Sequence, residues 1–207
     1  MIFSSEEVEL FRLKQVFSGS DEAGRGCLAG PVYGASVILP ENFDGSLIND
    51  SKKLSSKDRE EAYKVILENC LSFSYKYIDN NEIDKINILQ AAIKSMHQSI
   101  EKLTIEPELC FIDGNKFHST KYTFKTIIGG DSKFLSIAAA SIIAKVERDR
   151  WMLDIAHKLY PEYDFNIHKG YATKLHFEKI DKYGVTPIHR KSFLKKYYER
   201  RNQLNIF

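Results

Sequence analysis

The chain has 207 residues, 43% of them hydrophobic and 28% charged, with 30 Lys and Arg against 28 Asp and Glu. That suffices for one domain with a substantial core, and no apolar run approaches the roughly 18 residues that span a bilayer. Residues 1–15 lack the basic segment and apolar run of a secretory signal. Cys27, Cys70 and Cys110 show no C-x-x-C spacing and read as reduced residues of a cytoplasmic protein, neither disulfides nor zinc ligands.

The charge is unevenly distributed. Residues 168–201 carry ten Lys or Arg against three Asp or Glu, net +7, while the rest carries 20 against 25, net −5. A basic C-terminal section on a mildly acidic body is an electrostatic footprint for a polyanion.

Taken in chain order, QVFSGSDE (15–22) and VYGASVIL (32–39) read as strands, separated by the glycine-rich AGRGCLAGP. LSFSYKYI (71–78) alternates at period two, as a half-buried strand does. NILQAAIKSMHQSIEKL (87–103) is helical, because Leu89, Ala92, Ile93, Met96, Ile100 and Leu103 share one face. ELCFIDGN is a short strand ending in a turn at Asp113, and YTFKTIIGGD is another, closed by Gly129 and Gly130. A long alanine-rich helix is predicted over 132–159, stopped by Pro161. Two further helices follow, TKLHFEKIDKYG with Thr173 as N-cap and Gly184 at its end, and KSFLKKYYERRN. Strands early and helices late predict an α/β fold, a mixed sheet with flanking helices and a helical C-terminal section over about 165–203.

Three carboxylates occupy unusual places. Asp21 ends the first strand, Asp113 ends another, and Asp131 follows Gly-Gly at the start of a helix. Strand ends of an apolar sheet are poor places for uncompensated charge, and converging carboxylates suit hard cations such as Mg²⁺ and Mn²⁺. Each residue also has a plainer reading, as a turn former or a cap. Glu22 is harder to place, since neighbours in a regular strand point to opposite faces and share a site only at a bulge or strand end. Gly24-Arg25-Gly26-Cys27-Leu28-Ala29 formally matches the dinucleotide-binding G-x-G-x-x-A, but Pro31 and a β-run follow where that motif needs a helix.

DEAGRG, DSKKLS, FIDGN, GGDSKFLSIAAASIIAKVERD and KGYATKLH…YGVTPIHRKSF follow one another as in ribonuclease HII, and the sequence resembles the bacterial branch of that family from about Ser18 to Phe193. The related ribonuclease HIII is less similar, since it typically has a lysine where Arg25 stands and an extra N-terminal domain. The resemblance implies a single ribonuclease H-like domain over 1–207 and a metal site built from Asp21, Glu22, Asp113 and Asp131. It implies Mn²⁺ or Mg²⁺, two ions together, as cofactor. The substrates would be RNA–DNA hybrids and ribonucleotides embedded in duplex DNA, cut on their 5′ side to leave 3′-hydroxyl and 5′-phosphate ends. The Gly24-Arg25-Gly26 turn would read the 2′-hydroxyl, which a glycine backbone can reach without an intervening side chain. Tyr171 would pack on the neighbouring sugar. Lys52, Lys53, Arg190 and Lys191 are candidate phosphate contacts, and His168 and His189 are placed to face the duplex. Cys27 stands where the family commonly has proline, and Ala172 where it usually has glycine.

Two other functions fit the same residues less well: a binding module without catalysis, which would need no cation, and a DNA nuclease on the same fold, which would cut an all-DNA duplex. The chain ends QLNIF, opening on Gln203 and closing on Phe207. That peptide resembles those captured by bacterial sliding clamps in a hydrophobic groove; the alternative is a terminal helix turn that packs back on the domain. Nothing in the sequence points to an oligomer interface, so a monomer is expected.

Overall fold

The structure is a computed structural model that describes residues 1–48 and 54–204. Lys52, Lys53 and the end of the QLNIF peptide lie outside the described residues. Five strands, β1 (Phe17–Ala23), β2 (Val32–Ile38), β3 (Ser72–Ile78), β4 (Leu109–Asp113) and β5 (Phe124–Ile127), form one sheet in the order β3-β2-β1-β4-β5. β1 pairs antiparallel with β2, and β2 with β3, whereas β1–β4 and β4–β5 are parallel. The helices are α1 (Ser5–Arg12), α2 (Ser56–Asn69), α3 (Asn80–Ile86), α4 (Ile88–Glu101), α5 (Leu135–Trp151), α6 (His157–Leu159), α7 (Phe165–His168), α8 (Lys174–Tyr183) and α9 (Lys191–Leu204).

The expected mixed sheet is present, and all five strands fall where the apolar runs place them. Helices are less confined to the second half than expected, because α1, α2 and α3 precede β4. All three have local start signals, Asp79 capping α3 by accepting from the Glu82 N–H. Ser4 and Glu7 form a reciprocal capping box at α1, and Ser55 caps α2 by accepting from the Asp58 N–H. The long helix begins at Leu135, three residues later than expected. Gly129 takes a left-handed conformation at φ 63°, and a single 3₁₀ turn over Gly130–Ser132 precedes an extended Phe134. At its far end α5 continues into a π-type turn over Met152–Ala156 before α6.

α5 is the spine of the molecule. Its alanine-rich sequence buries nearly all of its first three turns against β1 and β2, and the small side chains let it lie close to the sheet. Gly19 on β1 makes that approach possible. A Cβ there would stand 2.1 Å from the Ser136 carbonyl carbon, a collision no rotamer relieves. α4 covers the opposite face, where Met96 and Ile100 pack on Cys110 and Ile112. A separate apolar cluster, with Met152, Tyr163, Phe165, Ile180 and Leu194, anchors the C-terminal helices on Leu28 and Ala29 of the glycine-rich segment. Cys27 and Cys110 are buried, Cys70 is partly so, and all three are free thiols.

The N–H groups at the start of α5, which have no partner within the helix, are satisfied from a distant part of the chain. Glu7 is fully buried; its carboxylate accepts from the Leu135 N–H at 3.2 Å, the Ser136 N–H at 2.9 Å and the Ser136 hydroxyl at 2.6 Å. A carboxylate on helix N-terminal amides opposes the helix dipole's positive end. Glu7→Ala leaves those donors buried without a partner, at about 1–3 kcal/mol each. Urea denaturation is therefore expected to show a loss of about 3 kcal/mol or more for Glu7→Ala. Its neighbour Glu6, which pairs at the surface with Lys125, is expected to lose less than about 1 kcal/mol on the same substitution.

Candidate active site

The parallel pairing of β1 and β4 runs from Phe17↔Leu109 to Ser20↔Ile112 and then stops. The next residues along the two strands are Asp21 and Asp113, so two carboxylates stand side by side where the central strands part. β1 itself continues to Ala23, paired only with β2. Asp113 accepts from the Gly130 N–H at 2.7 Å, which ties the end of β4 to the 3₁₀ turn carrying Asp131. Asp21, Glu22, Asp113 and Asp131 all border one cleft of about 410 Å³, together with Ala23, Gly24, Arg59, Ser141, Lys145 and Tyr171. Glu22 also borders a smaller groove on the α4 side, next to Arg25 and Met96. Lying past the last β1–β4 pair, it can share the cleft although it alternates with Asp21.

This clustering is electrostatically costly. Asp21 is 5% exposed, and burial raises its carboxyl well above the ordinary range, with the charges of Glu22 and Asp113 adding to the shift. A hydrogen bond from Ser141 on α5 works against it. Burial also raises Glu22, opposed by Arg25, whose guanidinium bonds its carboxylate at 3.1 Å. The four groups border the cleft without being drawn together. No three His, Cys, Asp or Glu side chains among the described residues are close enough to hold an ion as they stand. An all-oxygen donor set suits a hard divalent cation. The donor chemistry fits Mg²⁺ or Mn²⁺.

The glycine turn is braced from beneath by two buried arginines. Gly24 sits at φ 99°, and a Cβ there would stand 2.1 Å from Arg148 Nε, so only glycine fits. Arg148 donates from Nε to the Pro31 carbonyl at 3.2 Å, and from Nη2 to Ala29 at 3.3 Å and Lys169 at 3.0 Å. Arg190 donates to the carbonyls of Gly30 at 2.9 Å and Arg25 at 3.1 Å. Arg190 is fully buried, and burial pulls its pKa down to about 10. Its placement corrects the expectation of a phosphate contact, because it holds the turn's backbone and has no surface to offer a duplex. Arg25 and Gly26 are exposed at the turn's tip, and Cys27 behind them pairs with Tyr171 in an isolated antiparallel bridge.

Tyr171 borders the cleft beside the carboxylates. Lys145 stands 5.0 Å and Arg148 5.3 Å from its ring centroid, within the range of cation–π attraction. Lys145 and Ser141, one helical turn apart on α5, are cleft residues the sequence reading did not single out. Their signal is the i, i+4 spacing of two polar side chains on an otherwise buried helix. Lys191 is exposed at the start of α9, where its N–H and that of Ser192 bond Asp84 at 2.8 and 3.1 Å. His168 and His189, expected to face the duplex, are instead 6% and 1% exposed. They lie in the apolar packing around Phe165.

A five-stranded mixed sheet of this order, with carboxylates gathered where its central strands part, is a ribonuclease H-like α/β fold. The ribonuclease HII family model matches residues 18–196. A ribonuclease HII of Endomicrobium trichonymphae is 50% identical over 177 residues, spanning 85% of this chain and 84% of its own. Among solved structures, ribonuclease H2 from Pyrococcus horikoshii OT3 superposes with a TM-score of 0.72 at 25% identity, covering 89% of this chain and 98% of that one. The PCNA:RNase HII complex from Archaeoglobus fulgidus matches with a TM-score of 0.71 at 26% identity, covering 85% and 94%. The chain belongs to the ribonuclease HII family, and is a nuclease with ribonuclease H activity on RNA–DNA hybrids. No helix among the described residues is long and apolar enough to cross a membrane.

The raised Asp21 pKa has a consequence for stability. The folded chain holds this proton more tightly than the unfolded chain, so stability falls as pH rises from the unfolded carboxylate's value through the raised one. At pH 7.5 in the presence of a chelator, Asp21→Asn removes that penalty. A melting temperature above the parent's is expected in thermal denaturation at that pH. A lower melting temperature for the variant contradicts this account of the site.

Proposed function

We propose that the chain is a divalent-cation-dependent type 2 ribonuclease H that also incises duplex DNA on the 5′ side of an embedded ribonucleotide, leaving 3′-hydroxyl and 5′-phosphate ends. One observation carries this reading: the four carboxylates, the Gly24 backbone and Tyr171 border a single cleft. Acid for the chemistry and a close-approach turn for the sugar then act on the same nucleotide.

Asp21, Glu22, Asp113 and Asp131 are the residues that would hold Mn²⁺ or Mg²⁺. The chemistry such ions would supply is activation of a water and neutralisation of charge on the leaving 3′-oxygen of an in-line displacement. The backbone of Gly24-Arg25-Gly26 reads the 2′-hydroxyl, held rigid by the carbonyl contacts of Arg148 and Arg190. Tyr171 packs on the adjoining sugar and rejects a mispositioned strand. Lys145, beside Tyr171 and ion-paired with Asp149 at 2.8 Å, places a positive charge at the cleft wall where phosphate passes. The basic section over 165–203 lies along the duplex, with Lys191 at its exposed edge and Lys52 and Lys53 as further phosphate contacts. A sliding clamp is the proposed partner of the peptide from Gln203 to Phe207, in keeping with the archaeal relative seen bound to PCNA.

The test is a labelled DNA duplex with one ribonucleotide, its all-DNA twin and a long hybrid, each incubated with Mg²⁺ or Mn²⁺. Cleavage 5′ of the ribonucleotide is expected, with none in the twin and a rate at least 100-fold lower for Asp113→Asn. Binding without cleavage under both cations, or equal cutting of the twin, overturns the reading. In the same preparations, removing residues 203–207 is expected to spare cleavage and abolish clamp binding; unchanged clamp affinity refutes that contact.

A further inference from the structure

Three buried histidines lie behind Tyr171: His168, His176 and His189. The rings of His168 and His176 stack with centroids 4.2 Å apart, and His176 Nε2 lies 3.0 Å from His189 Nε2. Two nitrogens in contact must be one donor and one acceptor, and the backbone decides which. The Thr186 N–H, which can only donate, bonds His189 Nδ1 at 2.9 Å. The His189 proton therefore sits on Nε2 and is given to His176 Nε2. That leaves the His176 proton on Nδ1, where it is donated to the Tyr171 carbonyl at 2.9 Å. His168 is oriented independently, accepting from the Gly170 N–H at Nδ1 and donating to the Tyr163 carbonyl from Nε2. Burial keeps the rings neutral, lowering His176 to about 3 and His189 to about 4.

This chain completes a triangle of three segments. The glycine turn is tied to the Tyr171 segment by the Leu28 N–H to Gly170 carbonyl bond at 2.8 Å. It is tied to residues 186–190 by Gly30 N–H to Ile188 at 2.9 Å and Arg190 N–H to Leu28 at 2.8 Å. The remaining side, from 186–190 to Tyr171, is the His189–His176 relay. The Tyr171 carbonyl also accepts from the Thr173 N–H at 2.8 Å, but that bond is local and cannot set the segment against the turn.

We propose that His176, oriented by His189, is the positioning residue for Tyr171: it sets the height of the tyrosine over the cleft relative to the glycine turn, and so the preference for a ribonucleotide at the cut. This inference rests on the sugar-packing role given to Tyr171 above. His176→Phe keeps an aromatic ring and loses both hydrogen bonds, whereas His176→Asn keeps an N–H near the Nδ1 position and can still serve the Tyr171 carbonyl. His176→Phe is expected to lower kcat on the single-ribonucleotide duplex at least tenfold with KM changed less than threefold, because phosphate contacts are untouched. His176→Asn is expected to recover to within threefold of the parent. In ¹⁵N-resolved imidazole spectra of the unsubstituted protein at pH 7, the His176 proton is expected on Nδ1 and the His189 proton on Nε2.

Opposite tautomers overturn the proposal whatever any variant does. A folded His176→Phe with parental kcat overturns it too; if Tyr171→Ala is then impaired, the tyrosine reading survives alone. A Tyr171→Ala variant with parental rates removes the tyrosine reading, and the positioning role falls with it. Where His176→Phe fails to fold, His189→Asn serves instead. It retains an acceptor for the Thr186 N–H but cannot reach His176, and a kcat loss of at least threefold is expected; parental kcat overturns the proposal.

Discussion

Crowded negative charge where β1 and β4 part is the constraint on which the rest of this structure turns. Four carboxylates border one cleft, and burial together with neighbouring negative charge raises the pKa values of two of them, Asp21 and Glu22. Nothing in the packing of a stable sheet calls for such an arrangement, and the surroundings hold it in place at some cost. β4 is fastened through Asp113 to the turn bearing Asp131. α5 lies directly over Gly19 and brings Ser141 to Asp21. Glu7, from the start of the chain, holds the α5 N-terminus on that strand. Strain of this kind at one point of an otherwise consistent fold is the mark of a functional site.

The second half of the molecule solves a different problem, keeping a glycine-rich turn rigid without side chains of its own. Arg148 and Arg190 do this from inside, each spreading its guanidinium over backbone carbonyls. Arg148 Nη1 and Arg190 Nη2 are left without a hydrogen-bond partner among the described residues, a further cost near the site. The apolar cluster of the C-terminal helices includes Leu28 and Ala29, so the basic section is docked onto the turn it is proposed to serve. On the proposed reading, selectivity for a 2′-hydroxyl rests on the backbone geometry that these buried arginines hold.

The sheet is legible because β2 and β4 are apolar runs set near glycine or proline and β3 alternates at period two, and Thr173 and Gly184 bound α8 as their residue types imply. The capping-box spacing of Ser4 and Glu7 is a start signal for α1 as well. Asp21 and Asp113 were placed by strand ends alone. Glu22 was not, since alternation argues it onto the other face, and only the early end of the β1–β4 pairing frees it to reach the cleft. Arg190, His168 and His189 read as surface residues because charge in a basic stretch suggests exposure, whereas their burial depends on which carbonyls the fold presents. Lys145 lies inside a stretch that resembles the family, and its local signal is only the i, i+4 spacing from Ser141 on an otherwise buried helix.

The most direct test of the central claim is a calorimetric titration of Mn²⁺ into the unsubstituted protein, Glu22→Gln and Glu6→Gln. If the convergence is a cation site that includes Glu22, Mn²⁺ binds the parent and Glu6→Gln alike and binds Glu22→Gln at least tenfold more weakly. Equal affinity for all three would mean that the charge at the end of β1 is not there to hold a metal.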